Sequence, residues 1–292
     1  MRRNEISGMK SFVIGCVFFS SMVLEGYSKN LPIGDYIELP GVKLWYTDTG
    51  GSGIPVVLLH ANTGTSNEWM EQSTALSKAG FRVLAFDRRG WGKSVADSAT
   101  GPQPGTASDD LVALTDQLQL QPFHLVGIAG GGFVAIDYAA WKPEMVRSLT
   151  VIASNGQIKE DEIRDLTNRI DVPGLRDDPK LRVFRELGVA YRAANPEGTK
   201  HFIELEQNAK QEGAPPQPMR TPNNFAKLTK ISAPSLILAG GADLISPPAL
   251  MHAWARHLRR YEFHVMDNAG HSISWEQPGQ LNDHLVNFIS RH

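Results

Sequence analysis

The chain has 292 residues, with 29 Lys+Arg against 31 Asp+Glu, a formal charge of −2, 41% hydrophobic and 21% charged residues. That composition supports a packed core and excludes global disorder, and its balanced charge lacks the basic footprint of a nucleic-acid binder. The single cysteine, Cys16, excludes an intrachain disulfide and any zinc site that needs two thiolates.

The first 28 residues differ in kind from the rest. Arg2, Arg3 and Lys10 precede a 13-residue apolar stretch, Phe12–Leu24, and the small residues Gly26 and Ser28 follow it. A membrane span needs roughly 20 apolar residues, so this stretch reads instead as the hydrophobic region of a signal peptide cleaved after Ser28. The expectation is an exported mature protein with no membrane span; without a functional signal the chain is cytoplasmic.

Beyond Asn30 the chain alternates strand and helix signals. Tyr36–Leu39 and Val42–Thr47 read as an antiparallel pair about Pro40-Gly41. Continuous apolar runs follow at Val56–Leu59, Val83–Phe86, Phe123–Val126, Leu149–Ala153, Leu236–Ala239 and Phe263–Met266. Helical patterns separate them near Glu68–Lys78, Ser108–Leu118, Phe133–Trp141, Ala249–Arg259 and Gly279–Ser290. Uninterrupted apolar strands between helices predict an α/β fold, a mainly parallel sheet covered on both faces. The rhythm breaks between Asn155 and Lys230, where helix-prone pieces (Glu160–Ile170, Leu181–Ala194, Lys200–Gln211) lead into the Pro-rich Gly213–Pro222. This predicts a core of residues 29–154 and 231–292 with an inserted helical cap, 155–230.

The motifs lie where strands end, the ligand edge of open α/β sheets. His60-Ala61-Asn62 follows one strand and Asp87-Arg88-Arg89-Gly90-Trp91-Gly92-Lys93-Ser94 another; Gly127-Ile128-Ala129-Gly130-Gly131, Ala239-Gly240-Gly241-Ala242-Asp243 and Asn268-Ala269-Gly270-His271 follow in turn. In this order and spacing the chain resembles the α/β-hydrolase superfamily over essentially everything after Asp35. The resemblance implies the acid Asp243 and the histidine His271 of a catalytic set, with Asp243 fixing the histidine tautomer. It implies also that backbone N–H groups of Gly130 and Asn62 face a developing oxyanion. Asn62 has a second reading, a turn residue capping the next helix. Asp87 and the two arginines after it read as braces, and Trp69, Trp91 and Trp275 as packing residues.

One position departs from the family pattern. In Gly-x-Ser-x-Gly the central residue is the nucleophile, and here it is Ala129, whose methyl group cannot attack a carbonyl. A degraded dinucleotide turn does not explain the segment, because Ala129 fills the second glycine's place and no acidic residue ends the next strand. No cofactor and no metal are expected. The expected function is hydrolysis of a small ester, lactone or related carbonyl compound by water that His271 activates. Three alternatives stand beside it: a serine hydrolase in which Ala129 is an engineered replacement, a lyase using His271 as a proton shuttle, and a non-catalytic binder of a small molecule.

Overall fold

The computed structural model describes residues 32–172, 174–175 and 178–292; the predicted signal segment lies outside them. Nine strands form one sheet in the order β1-β2-β4-β3-β6-β7-β8-β9, with β5 paired to β2. The first two, β1 (Ile33–Leu39) and β2 (Val42–Asp48), are antiparallel, with Leu39 opposite Val42. Gly41 closes their turn at φ 81°, a region open to glycine. The parallel strands are β3 (Pro55–Leu59), β4 (Arg82–Phe86), β6 (Phe123–Ile128), β7 (Val146–Ile152), β8 (Ser235–Gly240) and β9 (Tyr261–Met266). The short β5 (Val95–Ala96), which the sequence pattern did not announce, is exposed and carries no apolar run.

The apolar runs are continuous because each strand feeds two cores. Val57 and Leu59 of β3 join Ile237 and Ala239 of β8 on one face, against α2 (Ala107–Gln117), α3 (Gly130–Trp141) and α9 (Pro248–Ala255). Val56 and Leu58 join Leu236 and Leu238 on the other, against α1 (Met70–Lys78) and α10 (Pro278–Ile289). Side chains alternate across a strand, so a strand covered on both faces shows no polar beat in its sequence.

Between β7 and β8 the chain forms α4 (Asp161–Ile170), α5 (Arg182–Glu186), α6 (Val189–Ala194), α7 (Pro196–Ala209) and α8 (Phe225–Leu228). The helical run expected over Leu181–Ala194 is interrupted at Leu187-Gly188, where Gly188 is extended. A Cβ on Gly188 would crowd Glu276 and the Asn268 carbonyl, so the chain passes close to the loop after β9 at this point. Two seams bind this segment to the sheet's carboxyl edge. His271 and Ser272 both donate backbone N–H groups to the Glu186 carbonyl, at 3.0 and 2.9 Å. On the other side Gln211 donates its N–H to the Gly90 carbonyl at 2.8 Å and its side-chain amide to Gly92 and Ser94 carbonyls.

Candidate active site

The loops after β3, β4, β6, β8 and β9 meet at the carboxyl edge of the sheet. Ala129 sits between β6 and α3 at φ 47°, ψ −113°, a conformation rare for a residue with a Cβ. Its backbone is held from both sides: its N–H donates to the Ile152 carbonyl at 2.9 Å, and its carbonyl accepts from Ser154 Oγ at 2.7 Å. The flanking glycines are required by close approach. A Cβ on Gly127 would strike the Gly131 carbonyl, and one on Gly131 would strike the Leu59 carbonyl. The elbow geometry is therefore complete, with a methyl group at its tip.

His271 and Asp243, 28 residues apart in sequence, form a buried pair with Nδ1 to Oδ2 at 2.8 Å. Asp243 Oδ1 accepts the N–H groups of Ile245 (2.7 Å) and Ser246 (2.9 Å), which fixes the orientation of the carboxylate. Facing this carboxylate, His271 Nδ1 is the donor, and Nε2 is the atom that gains or loses the proton. Burial disfavours the charged ring, but Asp243 by charge and by hydrogen bond, with Glu186 adding, outweighs burial and raises His271 to about 9, Arg185 opposing. The imidazolium is the resting form at neutral pH.

Ala129, Gly130, Asn62 and His271 line one small cavity of about 170 Å³, together with Ser154 and Glu186. Gly130 opens α3, where the first N–H groups have no intrahelical acceptor. Asn62 lies against it so closely that a Cβ on Gly130 would meet the Asn62 side chain. The Asn62 side-chain oxygen accepts from Arg88 Nη2 at 2.9 Å and its carbonyl from Trp91 Nε1 at 2.8 Å. The capping reading of Asn62 does not hold: the short 3-10 turn Ser66–Trp69 is capped by Thr65, whose side chain accepts from Asn67 N–H. A larger cavity, about 610 Å³, shares Ala129 and His271 and has apolar walls that include Ile128, Phe202, Leu205 and Trp275.

The remaining motif residues brace these loops. His60 is neutral and fully engaged: Nδ1 donates to the Ala61 carbonyl at 2.6 Å and Nε2 accepts the Arg88 N–H at 3.0 Å, while burial and then Arg88 push its pKa well down. Asp87 accepts from the N–H groups of Ser66 (2.7 Å) and Lys93 (2.8 Å). Arg89 grips Asp110 and the carbonyls of Pro40 and Pro102. Trp69 is fully buried, and Trp91 stacks under Arg88 at 4.5 Å.

Three carboxylates near the site carried no sequence signal. Glu276 Oε2 accepts the N–H groups of both Gly188 and Gly270 at 2.9 Å, tying the inserted helices to the histidine loop. Glu186 is buried beside His271 and Ser272, and burial raises its pKa. Glu68 lines the larger cavity. Among the described residues no group of three or more His, Cys, Asp or Glu side chains is arranged to hold a metal, and no helix is long and apolar enough to cross a membrane.

A sequence model of the alpha/beta hydrolase family matches residues 56–284. The chain belongs to the α/β-hydrolase family. It is similar to the 2-hydroxy-6-oxononadienedioate/2-hydroxy-6-oxononatrienedioate hydrolase of Paraburkholderia phymatum, 27% identical over 268 residues, which span 86% of this chain and 92% of that protein. Among solved structures it resembles a thermophilic esterase from Thermogutta terrifontis, with TM-score 0.71 and 25% identity over 88% of this chain and 98% of that one. The enol-lactonase of Burkholderia xenovorans superposes equally well, TM-score 0.71, over 88% of this chain and 100% of that one at 20% identity, a likeness of fold. These three similar proteins are named a hydrolase, an esterase and a lactonase, and this family member is a hydrolase.

Proposed function

We propose that this α/β-hydrolase cleaves a small ester, lactone or related carbonyl compound by direct attack of water, with residues 155–230 acting as a cap over the bound substrate. The observation that carries the reading is the cavity itself. A histidine whose tautomer is set by a carboxylate at 2.8 Å opens onto the same small space as Ala129, Gly130 and Asn62. Ala129 puts no hydroxyl into that space, so a water can stand at the elbow beside His271.

In this reaction neutral His271 Nε2 takes a proton as the water oxygen bonds to the carbonyl carbon. The carbonyl oxygen becomes an oxyanion held by the N–H groups of Gly130 and Asn62, donors of a kind worth roughly 10²–10³ in rate each. Collapse breaks the bond to the leaving oxygen, which receives the proton from the His271 imidazolium. The Asp243 carboxyl group holds Nδ1–H throughout and stabilises that imidazolium.

Hydrolysis of a reactive ester by His271→Ala and Ala129→Ser variants tests this. Loss of a general base typically costs roughly 10²–10⁴ in rate, so His271→Ala should lose turnover on that scale while remaining folded. An unchanged rate removes the catalytic reading and leaves the binding protein in front. Burst kinetics with a gain in turnover from Ala129→Ser would instead identify a serine enzyme lacking its serine.

A further inference from the structure

Glu68 occupies a prepared seat. It belongs to the turn Ser66–Trp69, which is fixed by the Thr65 cap, by the Ser66 N–H on Asp87 at 2.7 Å and by the fully buried Trp69. Its Oε2 accepts the Ala61 N–H at 3.2 Å, and a Cβ on Gly64 would collide with the same oxygen. A glycine is thus required to let this carboxyl fold back over the loop that carries Asn62. Among the described hydrogen bonds, its second oxygen has no protein partner. The residue lines the larger cavity together with Ala129 and His271, among walls that are mainly apolar.

We propose that Glu68 is a substrate-binding residue, whose carboxyl, held in place by Ala61, donates a hydrogen bond to an acceptor oxygen on the otherwise apolar acyl portion of the substrate. Ligand cavities of this kind pair apolar walls with a few placed polar groups that set orientation. The substrate class is then an acyl compound bearing a keto, ether or hydroxyl oxygen besides the carbonyl that is attacked. The inference deepens the hydrolase reading and rests on it for the identity of that carbonyl. Donation requires the neutral acid. Burial raises Glu68 to about 8, against the Ala61 hydrogen bond and the charges of Arg88 and His271, with Glu186 adding to the rise. Glu71 and Lys93 share the same cavity wall.

The test is a titration, followed by ligand-detected NMR, with two methyl ketones of equal chain length, one carrying a methoxy oxygen on its acyl chain. At pH 7 the wild type should bind the methoxy ketone roughly 5–10-fold more tightly, the size of one net hydrogen bond. Glu68→Gln should keep that preference, because its amide can accept from Ala61 and still donate; Glu68→Ala should lose it. At pH 9.5 the preference should vanish in the wild type and persist in Glu68→Gln, which has nothing to ionise. Equal affinities in the wild type at pH 7, or a preference that survives in Glu68→Ala, would overturn the proposal. No arm needs turnover, so the result stands apart from whether His271→Ala is inactive.

Discussion

Asp243→Asn separates the two jobs of the acid, and both have a size. In the wild type His271 titrates at about 9, so at pH 7 only about 1% of the ring is the neutral base, and kcat/KM should rise by about 50-fold between pH 7 and pH 9. The asparagine oxygen can still accept the N–H groups that Asp243 Oδ1 now holds from Ile245 and Ser246. Its amide nitrogen then faces His271 Nδ1, and a donor in that place requires Nδ1 to be the acceptor and puts the ring proton on Nε2. The base is blocked by the wrong tautomer, a change worth about 10⁴ in kcat for a histidine with this partner.

The same substitution removes both influences of Asp243 that raise His271, leaving burial as the main one, so the residual activity should lose its rise above pH 7. Initial rates on an activated ester from pH 5.5 to pH 10, corrected for spontaneous hydrolysis and repeated with Glu68→Gln, measure both effects. A wild-type profile that is flat from pH 7 to pH 9 would refute the raised pKa of His271. Stability follows the same proton. A histidine raised from 6.5 to about 9 on folding contributes stability that is full below pH 6.5 and lost as the pH rises through 9. The wild-type melting temperature should therefore fall relative to His271→Ala across that interval.

A fluorophosphonate probe should leave the wild type unlabelled and add one label to Ala129→Ser by intact mass, since only the variant has a hydroxyl on the elbow; a stoichiometric wild-type adduct in the cavity would show that another nucleophile serves. Glu276→Ala leaves the Gly188 and Gly270 N–H groups without their acceptor, which should cost about 1–3 kcal/mol in urea denaturation and also lower kcat, because Gly270 precedes His271. An unchanged midpoint removes the strap. Gly131→Ala places a Cβ into the Leu59 and His60 carbonyls, whereas Gly279→Ala meets nothing; the first should lose soluble folded protein, the second should be neutral or mildly stabilising, and equal yields would contradict the close approach.

Every strand that feeds both cores was legible as an apolar run, because a residue such as Leu58 packs on one face and Leu59 on the other. The helices packed on the sheet came through to within a few residues at most ends, whereas Leu181–Ala194 was split in two and α8 carried no signal. What failed to show was set by contacts far apart in the chain. The break at Gly188 depends on Glu276, 88 residues on, and no local propensity marks it. Ala129, Gly130, Asn62, Asp243 and His271 were singled out through the family resemblance of their motifs, and the structure brings all five to one place. Glu68, Glu186 and Glu276 were invisible for a plain reason: a glutamate in a helical pattern is ordinarily a solvated side chain. The spacing of Gly64 and Glu68 was the one trace, and four residues between a glycine and an acid occur too often to carry a site.

The strained elbow bears on why the machinery persists around an alanine. A positive φ at a residue with a Cβ costs of order 1–3 kcal/mol, and Ala129 holds φ 47° with no nucleophile to present. Were the strain idle, a relaxed turn would be more stable, yet the Ser154 hydroxyl and the Ile152 carbonyl fix this one from both sides. The same turn determines where α3 begins and hence where the Gly130 N–H points. It also sets the height of the Ala129 methyl beneath the small cavity that His271 and Asn62 share. In the proposed reaction the elbow has two uses without a hydroxyl, aiming the Gly130 N–H at the oxyanion and flooring the cavity in which the water stands. Both are what direct attack by water needs, and neither requires a side chain larger than alanine.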